Sequence, residues 1–173
     1  MTTTPEFARP YRLDTIGDAP RTVEIAAEPD EAGRLAERFG LIALDRLAAS
    51  AELAREGDVV TASGRIQADA VQPCVASGEP VPAHIDQPFT LRFVPSGNAS
   101  PDQEVELAEG DLDTLTYESG AVDLGEAVAQ TLALALDPFP RAPDADEALR
   151  EAGVVSEQDM SPFAALKALK TKL

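Results

Sequence analysis

Two segments of this chain alternate so regularly that they leave little freedom in how it folds. In DVVTASGRIQADAV (58–71), Val60, Ala62, Ile66, Ala68 and Ala70 share one face, and Thr61, Ser63, Arg65, Gln67 and Asp69 share the other. In PAHIDQPFTLRFV (82–94), Ile85, Phe89, Leu91 and Phe93 alternate with Asp86, Thr90 and Arg92. Successive strand side chains point to opposite faces, so this period of two predicts two half-buried antiparallel strands. The connection between them contains SGEP (77–80), which is turn chemistry, and the chain's one cysteine, Cys74.

A sheet with one apolar face must bury it against something, and two helical patterns are available. Over 29–39, Pro29 suits a first helical position and Asp30 and Glu31 suit the positive end of the dipole; Ala32, Leu35, Ala36 and Phe39 make one stripe, and Gly40 stops it. Over 123–136, Asp123 and Glu126 have capping-box spacing, and Leu124, Val128, Leu132 and Ala135 mark a buried face. Thr22–Ala26 reads as a strand with Val23 and Ile25 inward, paired as a hairpin with Phe7–Leu13 through GDAP (17–20). Short strands are predicted at Val105–Leu107 and Leu112–Tyr117. Leu41–Arg55 is ambiguous: its Ala and Leu content favours helix, yet Leu47, Ala49, Ala51 and Leu53 alternate.

The predicted fold class is α+β: a twisted antiparallel sheet packed by the two main helices, with a short C-terminal helix after Ser161. The expected core includes Leu35, Phe39, Ile66, Phe89, Leu91, Phe93, Val128 and Leu132. Residues 1–143 form a single domain in this reading, and 144–173 an acidic linker and an amphipathic helix. The polar, aperiodic stretches 95–104 and 144–160 are expected to be poorly ordered.

Charge narrows the function classes. A net charge of −17 repels phosphate and anionic membranes and attracts basic partners. A lone cysteine permits no internal disulfide and suits a reducing compartment. The opening MTTTPEFARPYRLD has no apolar run of leader length, and no stretch approaches the ~20 apolar residues a membrane helix needs. These features predict a cytoplasmic protein with no membrane association.

Catalytic signatures are sparse. Cys74 as a nucleophile would need a base, and the one histidine, His84, has no evident third group to orient it. One Cys and one His fall short of a structural zinc site. EGDLD (109–113) and DADE (144–147) lack the spacing of a calcium loop and read as solvated acidic surface. No phosphate loop, GxSxG or HExxH occurs. The reading is therefore no catalytic residue, no metal and no small-molecule cofactor. Candidate contacts are instead Arg9 and Arg12 in FARPYR, Arg141 in DPFPRAP, and Phe163, Lys167, Lys170 and Lys172 in the terminal SPFAALKALKTKL, which holds all three lysines.

Three segments in order resemble the YceD family, the large ribosomal RNA subunit accumulation proteins of bacteria: GRIQADAVQPCVASGEPVPAHIDQPFTLRFVP (64–95), YESGAVDLGEAVAQTLALALDPFPRAP (117–143) and SPFAALKALK (161–170). PEFARPYRLDTIG (5–17) and LAERFGL (35–41) resemble its alphaproteobacterial branch. The resemblance implies a cytoplasmic, non-enzymatic factor in synthesis, processing or stability of 23S rRNA, and it tips Leu41–Arg55 toward strand. Its implied partner is a ribosomal protein or assembly factor, or an rRNA precursor. Some relatives carry CxxC at the turn; here Ser77 stands at the second place, which argues against a metal or redox role for Cys74 and leaves it a packing residue. Two other readings stay open: an acidic module for a basic partner unrelated to the ribosome, and a Cys74-dependent enzyme.

Overall fold

Both alternating segments are strands, and they lie side by side in a five-stranded sheet. The structure is a computed structural model that describes residues 5–96, 113–118 and 120–154. The chain divides into two compact units, Met1–Gln72 with Pro82–Asp137, and Pro73–Val81 with Pro138–Leu173. The elements in order are β1 (Pro10–Arg12), a 3-10 turn (Leu13–Thr15), β2 (Arg21–Ala26), α1 (Pro29–Phe39), β3 (Ala43–Glu56), β4 (Val59–Pro73), β5 (Pro80–Pro95), β6 (Asp113–Tyr117), β7 (Ala121–Asp123), α2 (Leu124–Ala135) and α3 (Ala145–Glu151). The fold is α+β.

In the larger unit the main sheet runs β2-β3-β4-β5-β6, and β1 pairs with β7 in a separate two-stranded ladder. β3 and β4 pair antiparallel from Ala43↔Val71 to Glu56↔Val59. Their tight turn is Gly57-Asp58, with Gly57 at φ +61°, where a side chain would be strained. A register shift between Leu44 and Arg46 adds one residue to β3, so Leu44 and Leu47 both face inward although three positions apart.

The core is made by the inward faces of these strands and the apolar sides of two helices. Leu47, Leu53, Val60, Ile66, Phe89, Leu91 and Phe93 come from the sheet; Leu35 comes from α1; Leu124, Val128 and Leu132 come from α2, and all are buried in one cluster. Glu28 and Glu31 close a reciprocal capping box on α1, and Gly40 ends it at φ +65°. Asp123 caps α2 by accepting from the Glu126 N–H at 3.1 Å. Phe39, expected in the core, is only partly buried at its margin, because it is the last residue of α1.

Two expectations need correction. β2 pairs with β3, from Arg21↔Leu53 to Ala26↔Ala48, and β1 pairs with β7 instead of β2. Val23 and Ile25 find inward-facing Ala51 and Ala49 along a full six-residue strand, whereas β1 offers three residues beginning with a proline. The sheet is also mixed, since β6 joins β5 in parallel with Leu115 beside Phe93. A parallel neighbour needs a connection of a dozen or more residues, and the stretch between β5 and β6 is long enough. Leu41–Arg55, ambiguous by propensity and alternation and tipped toward strand by the resemblance, falls almost wholly in strand β3: it is flanked by β2 and β4, and this pairing outweighs a weak local preference for helix.

The smaller unit contains the turn 74–79 and α3. Helix α3 lies inside the stretch expected to be poorly ordered. Cys74, Ala142 and Ala145 form its own small buried cluster, with Ala76 and Val81 against it. The predicted strand at 105–107, most of the loop 95–104 and the C-terminal helix lie outside the described residues.

Candidate functional site

The cations singled out in the sequence have different surroundings. Arg9 is held on all sides: its guanidinium donates to Glu31 Oε1 at 2.8 Å and Oε2 at 2.7 Å, and to the carbonyls of Ala8 and Ala26. It also lies 4.5 Å from the centre of the Phe7 ring. Glu31 accepts from the Glu28 N–H as well, and these contacts, the Arg9 hydrogen bonds foremost, hold its carboxyl at about 2. Arg12 forms an exposed fork with Asp14 at 3.0 and 2.6 Å. Arg141, in the smaller unit, is exposed and pairs with Asp146 at 3.0 Å. Phe163, Lys167, Lys170 and Lys172 lie outside the described residues.

Cys74 and His84 are each engaged elsewhere. Cys74 is 3% exposed, and its sulfur accepts a hydrogen bond from the Ala142 N–H at 3.3 Å. That N–H first, then the Ser77 side chain and backbone, lower the thiol to about 7 against the opposing effect of burial. His84 Nδ1 lies 2.6 Å from Asp69 Oδ1 on the outer face of the sheet. Cys74 is thus a buried packing group at a hairpin turn. Among the described residues, no cluster of three or more His, Cys, Asp or Glu side chains has the arrangement of a metal site.

The outer face of the sheet, opposite the core, carries features that motif reading passed over. Arg46, Arg65 and Arg92 are exposed there, on β3, β4 and β5. Arg65 pairs with Asp86, whose carboxyl it holds below its usual range. Arg46 donates to Gln67 Oε1 at 3.0 Å, and among the described residues neither Arg46 nor Arg92 has a carboxylate partner. Arg46 and Arg65 border a groove of about 430 Å³ whose lining includes Ala26, Ala48, Ser50, Gln67 and Glu24. The register explains the depression: Ala26 is opposite Ala48 and Ser50 follows on the same face of β3, so small side chains of β2 and β3 are neighbours beside the longer Arg65 and Gln67 of β4. Arg65 and Arg92 were legible as outward residues of alternating strands; Arg46 lay in the segment whose period was ambiguous.

The family model for the large ribosomal RNA subunit accumulation protein YceD matches residues 62–170, from within β4 through most of the C-terminal segment. The chain belongs to the YceD family. No curated protein and no solved structure gives a significant match. Membership gives this YceD-family chain a role in accumulation of large-subunit ribosomal RNA, and the family's description names an RNA outcome rather than a reaction. The match includes the turn with Cys74, strand β5 and helix α2, so the segments 64–95, 117–143 and 161–170 lie within it, whereas 5–17 and 35–41 lie outside. No helix among the described residues is long and apolar enough to cross a membrane.

Proposed function

We propose that this YceD-family chain is a cytoplasmic, non-enzymatic factor that supports 23S rRNA synthesis, processing or stability by binding. The family match over residues 62–170 carries this reading. Its immediate partner in this proposal is a basic ribosomal protein or assembly factor, or an rRNA precursor. A charge of −17 supports the basic-protein contact, because such a surface steers cationic partners and does so less as salt rises. Arg12, Arg141, Phe163 and the lysines at 167, 170 and 172 are the proposed contacts. Arg9, bound to Glu31, is proposed to set the position of the neighbouring segment. Catalysis plays no part, which fits a thiol and an imidazole engaged in separate local contacts.

The test is the ratio of large- to small-subunit rRNA in cells lacking the protein, with affinity purification of the tagged full chain alongside. The expected result is a lowered ratio and recovery of ribosomal proteins or rRNA precursors. A normal ratio in the deletion strain would remove the ribosomal reading. Recovery of one basic protein with no ribosomal link would favour an acidic module serving another partner.

A further inference from the structure

The groove on the outer sheet face of this acidic chain is bordered by two arginines and has a single carboxylate in its lining. The cavity holds about 430 Å³, and its wall contains Arg46, Arg65, Gln67 and Glu24 above a floor that includes Ala26 and Ala48. Arg46 is opposite Asp69 and Arg65 is opposite Ser50, so their stems are displaced by ~13 Å along the strands at ~3.3 Å per residue. That displacement suits two phosphates of an extended strand with one further phosphate between them, not one compact anion. Alanines between them leave space for a flat group, and a base is flat whatever its identity. Duplex RNA is too wide for a depression of this size. An exposed arginine offers five donors in a planar fork that matches phosphate oxygens. Arg46 spends one donor on the neutral Gln67 and, among the described residues, forms no ion pair, although Asp69 stands opposite it; Arg65 already shares its charge with Asp86.

From this geometry we infer that the β2–β3–β4 groove binds a short single-stranded RNA segment, with phosphates on Arg46 and Arg65 and a base over Ala26 and Ala48. The inference rests on the ribosomal reading and deepens it by naming a site and a ligand class. The acidic remainder of the protein then limits the contact to a few nucleotides and excludes a broad grip on duplex.

Fluorescence anisotropy of a labelled short oligouridylate with the full chain tests it, across a series of salt concentrations. Two phosphate contacts on a single strand give a log–log salt slope of about −1.4. Arg46→Gln with Arg65→Gln is expected to weaken binding at least about tenfold and to bring the slope close to zero. Arg150→Gln, an exposed arginine of α3, is expected to change neither. Ala48→Leu fills the groove without altering charge or adding an aromatic ring, and should weaken binding while leaving the slope near −1.4. Circular dichroism on each variant separates lost contact from lost fold. Absence of binding by the wild-type chain overturns the inference, as does equal binding by the folded double variant. So does an oligoglutamate peptide that binds where the oligouridylate does not, since the occupant would then be an acidic protein. Failure here with a lowered rRNA ratio in the deletion strain would leave the ribosomal role standing and remove only the groove.

Discussion

At the scale of single residues, the arginines of this chain divide into those that hold structure and those left for other work. Arg9 and Glu31 are the clearest of the first kind. Two charge-assisted hydrogen bonds join them, and Glu31 caps α1 at the same time. Replacing Glu31 by Gln is expected to cost about 1–2 kcal/mol at neutral pH, measured by urea unfolding. The pH dependence has a definite sign. With the folded carboxyl at about 2 and an ordinary value of 4.5, its contribution is complete above 4.5 and disappears as pH falls through about 2. The gap between wild type and Glu31→Gln should therefore close over that acid window; a gap that stays constant would mean the pair contributes nothing electrostatic.

Cys74 makes the opposite point, because a lowered thiol value is not reactivity. The local N–H groups stabilise its thiolate, yet the sulfur is buried beside Ala142 and Ala145. Iodoacetamide should modify it slowly in the native protein and much faster in denaturant. Cys74→Ser is expected to cost about 1–2 kcal/mol and still to restore a normal rRNA ratio in a deletion strain. Loss of that rescue by a folded variant would revive a thiol-dependent mechanism.

At the scale of elements, backbone approach matters as much as side-chain burial. Gly125, in the first turn of α2, faces the segment Phe7–Arg9 so closely that a Cβ there would lie 2.1 Å from the Phe7 carbonyl oxygen. A backbone oxygen cannot rotate away as a flexible side chain can. Gly125→Ala is therefore expected to cost about 3 kcal/mol, with thermal unfolding as the measure. An unchanged midpoint would show that the N-terminal segment moves aside freely. Such positions are hard to foresee: Gly125 lies two residues after the capping Asp123, and nothing around it in the sequence announces a backbone contact. Strands β4 and β5 and helices α1 and α2 were legible because each buries one face with an unbroken period. β3 was not, because alanine suits helix by propensity and strand by alternation, and the added residue at Asp45 shifts the phase between Leu44 and Leu47. Strand pairing was less legible still. Nothing in PYR or AVD announces that β1 would seek β7 across more than a hundred residues. The groove was half legible: Arg65 and Gln67 were on outward positions, but the depression depends on small residues of β2 and β3 meeting side by side, and that requires the register.

At the scale of the whole molecule, the excess of acid makes folding and binding respond to salt in opposite directions. A chain at −17 repels itself when compact, and screening relieves that repulsion. The exposed ion pairs, such as Arg12–Asp14 and Arg141–Asp146, lose attraction on screening, but such pairs contribute little to begin with. The repulsive term should win. Raising salt from low ionic strength to about 0.15 M, where the screening length is about 8 Å, is expected to stabilise the protein by about 1 kcal/mol, a rise of roughly 2–4 °C in Tm. Over the same range, association with a basic ribosomal protein and with a single-stranded oligonucleotide should both weaken, because each depends on attraction between opposite charges across the contact. Opposite slopes measured on one preparation would show that weaker binding at high salt reflects the contact itself and not a loosening fold. If stability instead fell with salt in parallel with binding, ion pairing within the chain would outweigh its net charge, and an acidic body that acts by long-range steering would have to be abandoned.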